Sequence, residues 1–216
     1  MADTSGAVSA SRSVRRFCVP PMIISPLADV PDAIQTLAKW FYDEWHAFDG
    51  RSIEFIANEL SENRNRDSIP ITFVGHRNSE PLGSVSLELS DLPRFDHLSP
   101  WLASLYVHPP FRGQCVGRTL VRHLQCFALS RGIGPLYLWT PGSTQLYEHC
   151  GWIEFASATY ASRPIKLMHF PKLMKEFNVT ATSRQPRSAP ALCCWRGRTN
   201  PTALVDSRPE HGDAAA

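Results

Sequence analysis

The chain has 216 residues, 43% of them hydrophobic and 19% charged, with a formal net charge of +2. That is enough apolar material for one folded domain with tails. A balance so near neutrality excludes a whole-chain field that demands nucleic acid or an anionic membrane, and no apolar run approaches the roughly 20 residues that span a bilayer.

Residues 1–20 are small, Ser-rich and Arg-containing without the apolar stretch of a secretory signal, and read as a flexible N-terminal tail. A globular domain is expected over 21–177. Residues 178–216 are rich in Pro, Arg, Ser and Ala without periodicity and read as a disordered C-terminal tail, with Cys193, Cys194 and Trp195 as its one apolar spot. The cysteines at 18, 115, 126, 150, 193 and 194 form no CxxC pair and no metal spacing with histidine. Reduced thiols in the cytoplasm, and no metal, are the expectation.

Within the domain, Met22-Ile23-Ile24 is a short apolar strand. A helix opens at Asp29 or Pro31, with Ile34, Leu37, Ala38, Phe41, Tyr42 and Trp45 at helical spacing. Ser52 caps a second helix that turns Phe55, Ile56 and Leu60 inward. Ile71–Gly75 and Leu82–Leu89 pair through Asn78-Ser79-Glu80-Pro81. In the second of these strands Val85, Leu87 and Leu89 alternate with Ser86, Glu88 and Ser90, which predicts one apolar and one polar face. A loop leads to the strand Trp101–Val107, then to a helix over Gly117–Arg131 stopped by Gly132. Leu136–Thr140 is a buried strand. A short helix at Thr144–Cys150 ends on Gly151, and strands at Trp152–Tyr160 and Ile165–Phe170 follow. The order β-α-α-β-β-β-α-β-α-β-β is that of a mixed α/β domain with helices against a sheet.

The stretch from Val107 to Leu120, VHPPFRGQCVGRTL, joins a strand to a helix. Pro109 and Pro110 stop the strand because neither donates to a ladder. The first helical amides lack intrahelical partners and the helix dipole adds positive potential. The amides of Gln114, Cys115, Val116, Gly117 and Arg118 can therefore converge on a pyrophosphate without a metal, with Arg112 placed to add a charge. By itself the loop is equally a strand-to-helix turn that binds nothing.

Four segments in this order resemble the GNAT superfamily of acetyl-CoA-dependent N-acetyltransferases: WLASLYV, RGQCVG, LYLWT and LYEHCGW. The family's loop is Arg/Gln-x-x-Gly-x-Gly/Ala. Arg112 and Gly117 match its ends, and Cys115 stands where the family has glycine. The resemblance covers Met22 to Pro171 and implies a mostly antiparallel central sheet with flanking helices and a splayed central strand pair. It further implies acetyl-CoA as co-substrate, held by the backbones of Leu105, Tyr106 and Val107 and by the loop Arg112, Gly113, Gln114, Cys115, Val116, Gly117 and Arg118. Glycine at position 115 would serve either because a Cβ crowds the pyrophosphate or because the backbone angles disfavour L-residues.

Tyr147 is the general-acid candidate by the same resemblance, and Glu88, on the polar face of its strand, is the base candidate. Asp91, Asp96, His97 and His108 are weaker alternatives, Trp139 and Thr140 can line the cavity, and Cys126 and Cys150 read as small buried groups. The expected function is acetyl transfer from acetyl-CoA to a primary amine of a small molecule or protein, by direct attack in a ternary complex. The alternative is a degenerate member that binds CoA weakly or not at all and acts as an interaction module. No specific nucleic acid and no membrane partner is expected, and the chain is expected to be a monomer or homodimer.

Overall fold

The computed structural model describes residues 22–46, 50–62 and 64–171. The tails expected at 1–20 and 178–216, with Cys18, Cys193 and Cys194, lie outside the described residues. Seven strands form one sheet in the order β1-β2-β3-β4-β5-β7-β6: β1 (Ile23–Pro26), β2 (Ile71–Arg77), β3 (Glu80–Glu88), β4 (Trp101–Val107), β5 (Leu136–Thr140), β6 (Ile153–Tyr160) and β7 (Arg163–Phe170). All neighbours run antiparallel except β4 and β5, which are parallel.

Helix α3 (Val116–Ser130) covers one face. Its stripe Val116, Leu120, Val121, Leu124, Phe127 and Ala128 packs on Phe73, Val85, Leu87, Leu102 and Leu138. Burial of so many large side chains holds the helix, since each contributes about 1.5–3 kcal/mol over exposure. The short helix α4 (Gln145–Glu148) sits beside α3, and Gly151 leaves it at φ +87°, a conformation that suits glycine.

The opposite face has two covers. Helices α1 (Ile34–Phe41) and α2 (Ile53–Glu62) bury Leu37, Ala38, Trp40, Ile56 and Leu60 against Val74 and Tyr106. The β3–β4 loop drops Leu92 onto Trp101, Ile165 and Leu167. The backbone N–H of Phe55 donates to the Ser52 hydroxyl at 3.2 Å, a helix cap as expected.

Several local expectations change. After Phe41 the helix widens into a π-helical turn at Tyr42–His46, so Trp45 leaves the buried stripe and stands 41% exposed. Phe55 and Leu89 point outward, and Ala57 takes the inward place on α2. The β2–β3 turn is shorter than the four residues expected: Asn78 and Ser79 alone make it, both at positive φ, as a two-residue hairpin demands. Cys126 is exposed, because it falls on the outer side of α3.

Strand β4 carries a bulge that alternation alone would not reveal. Its register against β3 slips between Ser86↔Ala103 and Ser84↔Tyr106, and Ser104 takes φ +49°. The extra residue reverses the facing of everything after it. Leu102, Leu105 and Val107 all turn toward α3, while Trp101 and Tyr106 both turn to the other face.

Candidate functional site

The parallel pair β4–β5 meets at one register position only, Trp101↔Tyr137, with the Tyr137 N–H donating to the Pro100 carbonyl at 3.0 Å. Beyond that point the two strands part. Along β4 the ladder to β3 continues to the end: Gly83 pairs with Val107, and the His108 N–H donates to the Leu82 carbonyl at 2.9 Å. Val107 thus occupies a non-hydrogen-bonded position on the β3 side, so its own N–H and C=O face the gap. Those of Leu105 face the same way, whereas the backbone of Tyr106 is turned to β3. The strands approach so closely that a Cβ at Gly83 would lie 2.4 Å from the Tyr106 carbonyl oxygen, which demands glycine.

The β4–α3 loop stands at the open end of this gap and is braced from within. Phe111 N–H donates to His108 O at 2.9 Å, Arg112 N–H to Pro109 O at 3.1 Å, and the Gln114 side-chain amide to Pro110 O at 2.9 Å. Gly113 and Cys115 both take left-handed conformations, at φ +75° and +63°. Thr119 N–H is the first to close a helical bond, to Cys115 O at 3.0 Å, so the amides of Val116, Gly117 and Arg118 precede the ladder. The first turn carries no acidic residue and Cys115 makes no side-chain cap. Such a helix start favours an anion.

The backbone angles supply one of the two reasons for a glycine at position 115. Cys115 is in the left-handed region, which costs an L-residue about 1–2 kcal/mol. At Gly117, by contrast, φ is ordinary and an added Cβ would find Val107 Cγ2 at 3.4 Å and Leu146 Cδ2 at 3.7 Å, normal contacts.

Arg112 does not project freely. Its Nε donates to the Val107 carbonyl at 2.9 Å, a terminal nitrogen lies 3.5 Å from Glu44, and its guanidinium carbon is 5.6 Å from the centre of the Tyr106 ring. The Nε of Arg118 is buried without a hydrogen-bond partner among the described residues.

Tyr147 and Glu88 fall on opposite faces of the sheet. Tyr147, on α4, packs on the α3 side with its ring edge-on to Trp152 at 6.3 Å. Burial pushes its phenol up to about 12, with the neighbouring Cys150 adding to the shift, so it stays protonated at neutral pH. Glu88 follows Leu87, which faces α3, and so points the other way. It lies in one row with Trp101 and Tyr137, at the point where the strands begin to separate.

The face of β3 that carries Glu88 is polar, as the alternation predicts, and it is buried: Ser84 is 0% and Ser86 2% exposed, and Ser86 shares a 2.8 Å hydroxyl contact with Thr72. The Ser84 Oγ has no partner among the described residues. Burial, then the carboxylates of Asp91 and of Glu59 on α2, push Glu88 up to about 7. Asp91 rises to about 6, again by burial, with the Trp139 indole pulling the other way. A carboxylate near 7 can take a proton at neutral pH and hold it.

Two clefts flank this face. One, of about 510 Å³, lies between α1 and the end of β4, with Lys39, Asp43, Tyr106 and His108 in its wall. The other, of about 680 Å³, separates the β3–β4 loop from the β6–β7 hairpin, with Arg94, Phe95 and Tyr160 in its wall. Trp139 stands edge-on to Tyr160 at 5.3 Å. His108 is half-buried and stacks on Trp40 at 4.8 Å. His149 is exposed. No group of metal-ligating side chains occurs among the described residues.

Sequence reasoning missed Ser104, Glu44 and Glu59. Ser104 had a signal: Trp101 and Tyr106 are five apart, a spacing that puts them on one face only if a residue bulges. The two carboxylates reach the site from the π-helical turn after α1 and from α2 through packing, which no local pattern encodes.

A family model described as the acetyltransferase (GNAT) family matches residues 34–152, more than half of the chain. No curated protein matches it. Among solved structures, an aminoglycoside 6'-acetyltransferase type Ii superposes with a TM-score of 0.56 at 22% identity, over 71% of this chain and 99% of that one. An acetyltransferase of the GNAT family from Streptococcus pneumoniae gives 0.53 at 18%, over 68% and 97%. The ribosomal-protein-S18-alanine N-acetyltransferase from Escherichia coli gives 0.51 at 23%, over 74% and 99%. At these identities the likeness is one of fold.

Proposed function

The chain belongs to the acetyltransferase (GNAT) family and has its fold, and from that premise we propose that it moves acetyl from acetyl-CoA to a primary amine by direct attack in a ternary complex. The observation that carries this reading is the gap itself: β4 and β5 share one register pair and then part, with the Leu105 and Val107 backbones turned into the opening. An extended amide-bearing arm can add to β4 there as a strand adds to a sheet edge. The amides at the start of α3 stand where that arm's phosphates would end.

Acetyl-CoA, when bound, supplies the activated thioester; the protein's part is to take a proton on one face of the sheet and give one from the other, and the second ammonium proton, shed as the amide forms, restores the donor. On the α2 face Glu88, held near neutrality, takes a proton from the ammonium of the acceptor, directly or through water. On the α3 face Tyr147, protonated throughout the working range, gives one to the departing thiolate. The two clefts are on the same face of the sheet as Glu88, the side from which the acceptor comes, and they make that face the determinant of which amine is used.

Calorimetry with acetyl-CoA tests the cofactor half, and a screen of small amines, peptide N-termini and lysine peptides with thiol release as readout tests the transfer half. Saturable binding with thiol release for one amine class is expected. Binding without turnover of any class would leave a CoA-binding module, and absence of binding would overturn the reading.

A further inference from the structure

Arg112 joins the two faces of the gap. Its Nε occupies the Val107 carbonyl, a group the reading above gives to the cofactor arm. Its terminal nitrogen reaches Glu44, which lies on the π-helical turn Tyr42–His46 together with the exposed Trp45. Trp45 in turn stands edge-on to the Tyr106 ring at 6.1 Å, and the guanidinium lies over that same ring. One cation therefore ties the mouth of the cofactor gap to a turn on the opposite face.

Two demands of an incoming cofactor pull this cation the same way. An amide of the arm needs the Val107 carbonyl that the Nε now holds. A phosphate at the α3 N-terminus competes with Glu44 for the guanidinium and has the advantage, because Arg–phosphate pairs are bidentate while an exposed carboxylate pair is weak. The Arg112–Glu44 pair is exposed on both sides, 53% and 45%, and so is readily exchanged. π-helical turns are rare and occur frequently at functional sites.

We propose that Glu44 is a positioning residue: it holds Arg112 across the mouth of the gap until cofactor phosphates draw the guanidinium away, and its release frees the 42–46 turn on the acceptor face. This inference rests on the acetyl-CoA reading of the gap. It makes filling of the cofactor site the event that releases this turn.

The test is calorimetry with acetyl-CoA on the wild type, Glu44→Gln, Arg112→Ala and the double variant, with tryptophan emission recorded alongside. Glu44→Gln should tighten acetyl-CoA roughly two- to fivefold, the range an exposed ion pair supports. The gain should vanish in the Arg112→Ala background. In the wild type, acetyl-CoA should change an emission component that Trp45→Phe removes, and Glu44→Gln should show the changed emission before any cofactor is added. An unchanged or weakened affinity in Glu44→Gln, or a gain that survives Arg112→Ala, overturns the proposal while leaving the cofactor site standing. A wild type that binds no acetyl-CoA overturns both.

Discussion

On the α3 side of β4 the groups that the proposed function gives to a ligand are main-chain amides and carbonyls of one continuous segment, residues 105–118. On the α2 side they are side chains from separate segments, with Glu59, Glu88 and Asp91 drawn together beside Trp139. The first site is specified by dihedral angles: a bulge at Ser104, left-handed residues at 113 and 115, and a helix start without an acid. The second is specified by burial, which raises two carboxylates far above their ordinary range. A site made of backbone tolerates many side chains and fails at the few positions where an angle is wrong. A site made of buried charge fails whenever one partner changes.

The sharpest test of this division is Tyr147→Phe. The phenol's proton is the only part of that ring the backbone-built site does not supply, and the ring's packing on Trp152 survives the change. The expected loss is about 10²- to 10⁴-fold in kcat, as for other general acids, with the affinity for acetyl-CoA unchanged. Calorimetry beside steady-state kinetics separates the two, and a variant that loses affinity and rate together would break the assignment of Tyr147 to chemistry.

Glu88→Gln probes the other side and should cost about 10²-fold in kcat/KM at pH 8, again without loss of acetyl-CoA binding. The wild-type rate should fall below pH 7 as Glu88 protonates, and the variant should lose that limb. Stability carries the opposite sign. The folded protein holds the Glu88 proton more tightly than the unfolded chain, because the pKa rises from 4.5 to about 7. The associated stability is present below 4.5 and is lost as pH rises through about 7. Glu88→Gln should therefore flatten the decline in Tm between pH 5 and 8. A decline of unchanged slope would place the charge burden on Asp91 instead.

The same contrast governs what the sequence made legible. The strands Trp101–Val107 and Leu136–Thr140 are found where their apolar runs put them, and the loop motif marks the start of α3, because each is a local pattern. Phe55 and Leu89 were expected inward on periodicity and are exposed: Phe55 stands off the stripe of Ile53, Ile56, Ala57 and Leu60 that α2 buries, and Leu89 lies beyond the last residue of β3. Glu88 could be named as a polar residue on the right face. That this face is buried, and that Glu59 and Asp91 crowd it, depends on where α2 and the β3–β4 loop settle. Arg112 shows the same limit: its place in the motif was readable, its pairing with Glu44 was not.

Cys115→Gly is the smallest expected change and the one that measures the backbone site most directly. Two opposing terms act on stability. Relief of the left-handed conformation is worth about 1–2 kcal/mol, and the added freedom of glycine in the unfolded chain costs about 0.5–1 kcal/mol. A net gain of about 0.5–1 kcal/mol is expected from denaturant unfolding. Because Cys115 is already in the conformation glycine would take, at φ +63° and ψ 7°, the amides of Val116 and Gly117 should not move. Acetyl-CoA should then bind the variant only slightly tighter, within about threefold, as a difference of under 1 kcal/mol allows. If affinity rose a hundredfold instead, the thiol's Cβ, and not the backbone angle, would be what the loop has had to accommodate, and the site would answer to side chains after all.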